Sequence, residues 1–344
     1  MIRNEKFSEE IRTVDTITLR ILTSSWHVPY LYLLARTGYE FHTVGGWNIK
    51  QRPQPSNISV ISYAEALSNL RQRNYDLVIG HHPLHDLRVF GFRALIRGIP
   101  YVQVLHGRME RTGYKRSLIK KLVKRAYKNI VLRSLSLSKR VTFVFISPSV
   151  ESSWGLRGAV ITPGIPIEEM GEWNGVLKTL LVVGNNLHRE HFDYTTLLKL
   201  ADQVPVKIVG ENPQIPGAAP ASSWDELKSY YSQCRAYVNL TREPEDGYNL
   251  ATLEAMASGM PVLTLAHPTS PVQDGYNGLV AQNFTELVAK AHLLLENWDL
   301  ARRLGEKAKE TIAKRFGMEV FVNRWRVLIE SCVEGQKPLG IRNV

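Results

Sequence analysis

Two acids, Asp246 and Glu254, stand with seven residues between them, across a glycine and the start of a helical pattern. The string Glu245-Asp246-Gly247-Tyr248-Asn249-Leu250-Ala251-Thr252-Leu253-Glu254-Ala255-Met256-Ala257 enters that helix from an acidic loop. Gly259 and Pro261 then end it before the apolar run Val262–Leu265. The first-turn amides at Asn249, Leu250 and Ala251 have no helical acceptor, and the helix dipole favours negative charge there, so the place suits a phosphate. A carboxylate one turn in, Glu254, reaches ribose or sugar hydroxyls, while Asp246 beside Gly247 faces the phosphate end. Together they suggest a nucleotide-sugar site. Ordinary helix punctuation is the other reading: Asn249 as N-cap, an acid gaining roughly 0.3–1 kcal/mol from the dipole, and Gly259 with Pro261 as a stop. It accounts for pieces of the string but not for the whole.

Further candidates lie at the ends of apolar runs. His106-Gly107 follows Tyr101–Leu105, and His81 and His82 follow Leu77–Ile79. A histidine at a strand's carboxyl end sits on the rim where doubly wound sheets bind ligands. Trp26 and His27 lie in the loop Thr23–Pro29, where Trp26 can stack on a sugar or pack on the core. No His, Cys or Asp spacing reads as a metal site, and Cys234 and Cys332 are far apart, so neither a metal nor a disulfide is expected.

Short apolar runs alternate with helical patterns along all 344 residues, which predicts parallel α/β units in two domains. Strands are expected at Thr18–Leu22, Phe41–Val44, Ser59–Ser62, Leu77–Ile79, Tyr101–Leu105 and Val141–Ile146. In the second half they fall at Leu180–Val183, Val206–Val209, Ala236–Leu240, Val262–Leu265 and Gly278–Val280. Helices are expected between them, among others at Asp86–Arg97, Tyr114–Leu135, Ala251–Ala257 and Leu300–Ala313. The Gly- and Pro-rich run 162–175 marks the boundary between a first domain over 1–163 and a second over 176–316. The segment 317–344 carries a last helix.

The formal charge is +11, from 43 Lys and Arg against 32 Asp and Glu. From Arg111 to Val150 there is no acid, while Lys115, Arg116, Lys120, Lys121, Lys124, Arg125, Lys128, Arg133, Lys139 and Arg140 interleave with apolar residues at helical spacing. Such a helix, residues 115–140, fits an anionic membrane surface or an anionic acceptor, or is a solvated face on a core helix. Nucleic acid is not expected, since no recognition motif is present. No run has the apolar length of a membrane span and Met1–Glu10 shows no secretory pattern, so a cytoplasmic protein, peripheral to the membrane's inner face, is expected.

The segment Asp246-Gly247-Tyr248-Asn249-Leu250, Leu253-Glu254-Ala255-Met256-Ala257, Gly259 and Pro261-Val262 resembles the E-x7-E signature of the family 4 retaining glycosyltransferases. It departs in having Asp for the first acid and Asn249 for the second glycine. The resemblance implies a GT-B fold, two Rossmann-like domains with parallel sheets facing a central cleft, and a last helix that crosses back to the first domain. It implies transfer of a hexosyl group from a nucleoside-diphosphate sugar to a saccharide or lipid-linked acceptor, with retention and without a metal. Glu254 then holds the donor ribose, Asp246 contacts the transferred sugar, and His106 faces that sugar from the first domain. Asn186 and Arg189 resemble the diphosphate-binding segment, although Asn185 stands where the family has Arg. Gly210-Glu211-Asn212-Pro213 resembles the loop beside the base, and Asp274-Gly275-Tyr276-Asn277-Gly278 matches another family string. Trp26, His27, His81 and His82 fall on the acceptor side, where the family's Gly-Gly loop is missing. Two rivals share the fold: a nucleotide-sugar epimerase, which would release nucleotide without an acceptor, and a degenerate binding protein, which would bind nucleotide and turn over nothing.

Overall fold

The computed structural model describes residues 18–109, 126–189, 191–242 and 248–336. Two all-parallel sheets carry the chain. The first has the order β3-β2-β1-β4-β5-β6-β7, from β1 (Arg20–Ser24), β2 (Glu40–Val44), β3 (Ile58–Val60), β4 (Leu77–Gly80), β5 (Tyr101–Leu105), β6 (Val141–Phe145) and β7 (Ala159–Val160). The second has the order β12-β11-β10-β8-β9, from β8 (Leu177–Val183), β9 (Val206–Val209), β10 (Cys234–Asn239), β11 (Val262–Leu265) and β12 (Gly278–Ala281). Central strands such as β5 and β6 are buried at every residue. That is why they read as unbroken apolar runs, with helices on both faces of the sheet. In each sheet the strand order reverses once, between β1 and β4 and between β8 and β10, and the crevice at such a reversal is where open α/β sheets take ligands.

Side-chain caps start the helices where the sequence has Ser, Asp or Asn. Ser62 caps Tyr63–Gln72, Asp193 caps Tyr194–Ala201, Ser223 caps Trp224–Gln233 and Asn283 caps Phe284–Glu296. The helix Pro148–Trp154 was not anticipated. Its signals were present, Ser147 accepting the Val150 N–H and Pro148 in the first turn. The expected helix Asp86–Arg97 is instead a π-helical turn, Leu87–Gly91, running into a short α-helix, Phe92–Ile96. The expected helix Tyr114–Leu135 falls partly on 110–125, outside the described residues. Its remainder is a π-helical segment, Tyr127–Leu132, followed by Arg133–Leu137.

The chain leaves the first sheet after Val160 and enters the second at Leu177. Within that crossing Tyr32 Oη donates to the Glu169 carboxylate at 2.7 Å, and Arg36 pairs with Glu168 at 3.2 Å and with Glu169. The return crossing lies alongside, Ile165 N–H donating to Phe316 O at 2.9 Å. The last helix, Met318–Val333, buries Phe321, Trp325, Leu328, Ile329 and Cys332 in the core of the first sheet. Trp325 is the largest side chain fully enclosed there.

Candidate active site

The helix Leu250–Ser258 follows β10 and opens on Asn249. Asn249 Oδ1 accepts the Thr252 N–H at 2.8 Å, and its carbonyl accepts the Leu253 N–H at 3.2 Å. The N–H groups of Leu250 and Ala251 are thereby left with no acceptor in the helix, and both residues line the interdomain cleft. Asn249 Nδ2 also donates to Asn239 Oδ1 and Thr241 Oγ1, each at 3.2 Å, which ties the helix start to the end of β10. A glycine at 249 offers neither bond. Asp246 and Gly247 lie outside the described residues.

Glu254 is buried one turn further on and faces the cleft. Tyr231 Oη donates to Glu254 Oε2 at 3.1 Å. The guanidinium of Arg52, from the first domain, pairs with Oε1. Burial pushes the Glu254 carboxyl above its usual range, an effect that Arg52 and Tyr231 oppose in part.

The loops after β8 and β9 meet at Gly210. Its φ of +137° and its closeness to the neighbouring strand exclude a side chain: a Cβ there would lie 2.2 Å from the Gly184 carbonyl oxygen. Glu211 N–H donates to Asn185 Oδ1 at 2.7 Å, and Asn212 Nδ2 to Gly184 O at 2.7 Å. Gly210 and Glu211 line the cleft, as does Asn185. Asn186, the neighbour chosen from the sequence, does not. Its φ is +54°, and its N–H is used on Glu211 O at 3.0 Å. Arg189 is exposed and outside the cleft lining. Its own N–H closes a turn on Asn186 O at 3.0 Å.

In the first domain β1, β4 and β5 bring five candidates together. His81 Nδ1 and His106 Nε2 are 2.9 Å apart. His27 stacks on His106 with ring centroids 5.4 Å apart, and Trp26 lies 5.7 Å from His106 and 6.0 Å from His82. Trp26 and His27 line the cleft, whereas His82 and His106 are not among its lining residues and His81 is buried. Burial drives His27 and His81 each down to about 4 and His106 well below its ordinary value, so these rings are neutral near pH 7. His27 Nδ1 accepts the Tyr30 N–H at 3.2 Å, which puts its proton on Nε2. Asp86 supports the group from below. It accepts Ser24 Oγ at 2.7 Å, the His81 and His82 N–H groups at 2.8 and 2.9 Å, and His85 Nδ1 at 3.0 Å. Among the described residues no three His, Cys, Asp or Glu side chains converge as a metal-binding group.

Both halves face one cleft of about 910 Å³. Sequence reasoning missed the loop Gly45–Arg52, every residue of which lines it, together with Tyr231 on Glu254 and Trp224 against Arg52. The pair Gly45-Gly46 was the one available signal. It turns the chain into the cleft with φ of +99° and +84°.

Two family models match the chain: Glycosyltransferase Family 4 over residues 17–169 and Glycosyl transferases group 1 over residues 218–311. No curated protein sequence matches it. Among solved structures it is similar to Anabaena Alr3699/HepE in complex with UDP-glucose, at TM-score 0.69 and 15% identity over 91% of this chain and 100% of that one. It is also similar to sucrose-phosphate synthase from Thermosynechococcus elongatus, at TM-score 0.63 and 16% identity over 92% and 100%. A third is WaaG, a glycosyltransferase involved in lipopolysaccharide biosynthesis, at TM-score 0.63 and 12% identity over 90% and 99%. At these identities the likeness is one of fold: two Rossmann-like domains with a cleft between them. The chain belongs to the family 4-type glycosyltransferases and has their GT-B fold.

Proposed function

We propose that the protein moves a hexosyl group from a nucleoside-diphosphate sugar to a saccharide or lipid-linked acceptor, with retention and without a metal. The observation that carries this reading is a single cleft with two unlike walls. The Leu250 and Ala251 amides, which have no acceptor within the helix, and the Glu254 carboxylate form one, and Trp26 and His27 form the other. The amides suit the diphosphate, Glu254 suits the ribose hydroxyls, and the loop at Gly210 and Glu211 suits the base. Trp26, 53% exposed, offers a flat face to an acceptor sugar. On the donor the bond from the anomeric carbon to the phosphate oxygen breaks. The acceptor oxygen bonds to that carbon on the same face, and its proton passes to the leaving phosphate. The neutral imidazole of His27, which lines the cleft, can hydrogen-bond a sugar hydroxyl through Nε2 without opposing the positive charge that develops on the ring. The crystal structures of HepE with UDP-glucose and with UDP support a UDP-sugar as the first donor to try.

Thermal shift against UDP, GDP, ADP, TDP and CMP and their sugars tests the donor. A ligand at about a hundred times its dissociation constant adds ~2.7 kcal/mol of apparent stability. One nucleotide should give a clear shift that Glu254→Gln removes, and a flat response to all of them would sink the reading. The anomeric proton of the product, read by NMR, then reports retention or inversion.

A peripheral membrane role is part of the same reading. Residues 110–125 of the basic stretch lie outside the described residues. In the remainder Ile130 and Leu137 are 67% and 83% exposed, in a segment that also carries Lys128, Arg133, Lys139 and Arg140. Among the described residues no helix is long and apolar enough to cross a membrane. Flotation with vesicles containing phosphatidylglycerol should carry the protein upward, and Ile130→Glu with Leu137→Glu should reduce that. Equal flotation of both proteins would remove this surface from the proposal.

A further inference from the structure

Arg52 is a cation of the first domain buried against the second. Its loop begins at Gly45-Gly46, and Trp47 Nε1 closes it by donating to Arg52 O at 2.9 Å. The guanidinium then reaches across the cleft. Its centre stands 3.6 Å from the Trp224 ring centroid and 5.9 Å from that of Tyr32. Nη1 donates to Gln51 O at 2.6 Å, and Nη2 pairs with Glu254 Oε1. A guanidinium enclosed on this scale is held by its partners, and here the charged one is Glu254.

Arg52 takes one acceptor position on Glu254 Oε1, and Tyr231 takes one on Oε2. Each carboxylate oxygen has about two such positions, so one remains on each oxygen of a residue that lines the cleft. Two acceptors so placed match a vicinal diol. We infer that Arg52 is a positioning residue for donor binding: it supplies the counter-charge and the aim of the Glu254 carboxylate from across the cleft, so that ribose recognition by the second domain is completed by the first. The inference rests on the reading of Glu254 as the ribose carboxylate. A first domain swung away would leave Glu254 buried without its cation. Donor binding and domain closure are therefore linked through one ion pair.

Among the described residues the ionisable groups acting on Glu254 are Arg52, Tyr231 from the helix Trp224–Gln233, and Tyr237 from β10. Only Arg52 is a cation. Without it the carboxyl, already pushed up by burial, rises further and takes a proton nearer neutral pH. The protonated form is the poorer acceptor, so donor binding then weakens as pH falls.

Calorimetric titration of UDP and of 2′,3′-dideoxy-UDP into wild type, Arg52→Gln and Arg52→Lys tests this between pH 6 and 8. Wild type should prefer UDP over the dideoxy compound, with little pH dependence. Arg52→Gln should bind UDP at least tenfold more weakly, worse at pH 6 than at pH 8, while binding the dideoxy compound as wild type does. Arg52→Lys should recover part of the affinity and the flat pH profile. If Arg52→Gln binds UDP as tightly as wild type or more tightly, Arg52 is a bystander or a competitor of the ribose, and the inference is overturned while Glu254 keeps its role. If wild type does not distinguish the two nucleotides, Glu254 leaves the ribose and both readings fall.

Discussion

His81 Nδ1 and His106 Nε2 share one hydrogen bond of 2.9 Å between the ends of β4 and β5. One ring donates and the other accepts, so the pair has room for one proton between them. His106 in turn carries the stacked ring of His27. The tautomer of His81 thus sets that of His106, while the tautomer of His27, which lines the cleft, is set by the Tyr30 N–H.

The first prediction follows from the depressed histidines. His27 and His81 titrate near 6.5 in the unfolded chain and at about 4 in the folded one. Between those values the unfolded chain binds more protons. The stability due to their neutral state is therefore complete above about pH 6.5 and is lost as pH falls toward 4. Each contributes up to about 1.4 kcal/mol per pH unit in that window. Urea midpoints measured from pH 7 to pH 4 should fall steeply, and His81→Gln should flatten the slope. A slope unchanged by that substitution would mean the histidine is not charged on unfolding in this range.

Asp86 gives a second. It is buried, and four donors converge on its carboxylate. Burial alone would raise its pKa, yet the bonds from His82 N–H, His85, Ser24 and His81 N–H together hold it lowered. Asp86→Asn keeps the size and loses the anion, so the four donors face a weaker acceptor and an amide that must itself donate. The expected destabilisation is about 2–4 kcal/mol by urea unfolding, with the turn at His81 and His82 loosened. A change below about 0.5 kcal/mol would show that the anion is not needed.

Gly210 gives a third. Alanine there would put a Cβ 2.2 Å from the Gly184 carbonyl oxygen on a backbone with φ of +137°. The loops after β8 and β9 would have to separate, breaking the Asn185 and Asn212 bonds. Stability should drop by about 2–3 kcal/mol or more, and nucleotide binding should weaken with it. Retention of full affinity by Gly210→Ala would take this loop out of the base site.

Trp26 gives a fourth, of opposite character. Its exposure means that Trp26→Ala should change the melting temperature little, by the equivalent of less than about 0.5 kcal/mol. The KM for the acceptor should rise about tenfold, and the donor KM should stay. An equal rise in both would place Trp26 on the donor instead.

Whatever depends on neighbours along the chain was legible in the residues. Apolar runs marked the strands because a parallel sheet covered on both faces needs apolar side chains throughout. The helix Leu250–Ser258 was placed to within a residue at each end because Asn249 and Gly259 satisfy its ends locally. Sequence alone could not place Arg52, which meets Glu254 across 202 positions, whereas the strand ends did bring His81 close to His106. It also could not say that Asn185 rather than Asn186 faces the cleft, since that depends on a turn tied to Asn212 of another loop. Backbone preferences act over a few residues, so composition and spacing determined the two sheets and the start of the helix Leu250–Ser258. The partners of buried charges are chosen by how two domains close on each other, and only the tertiary structure decided those.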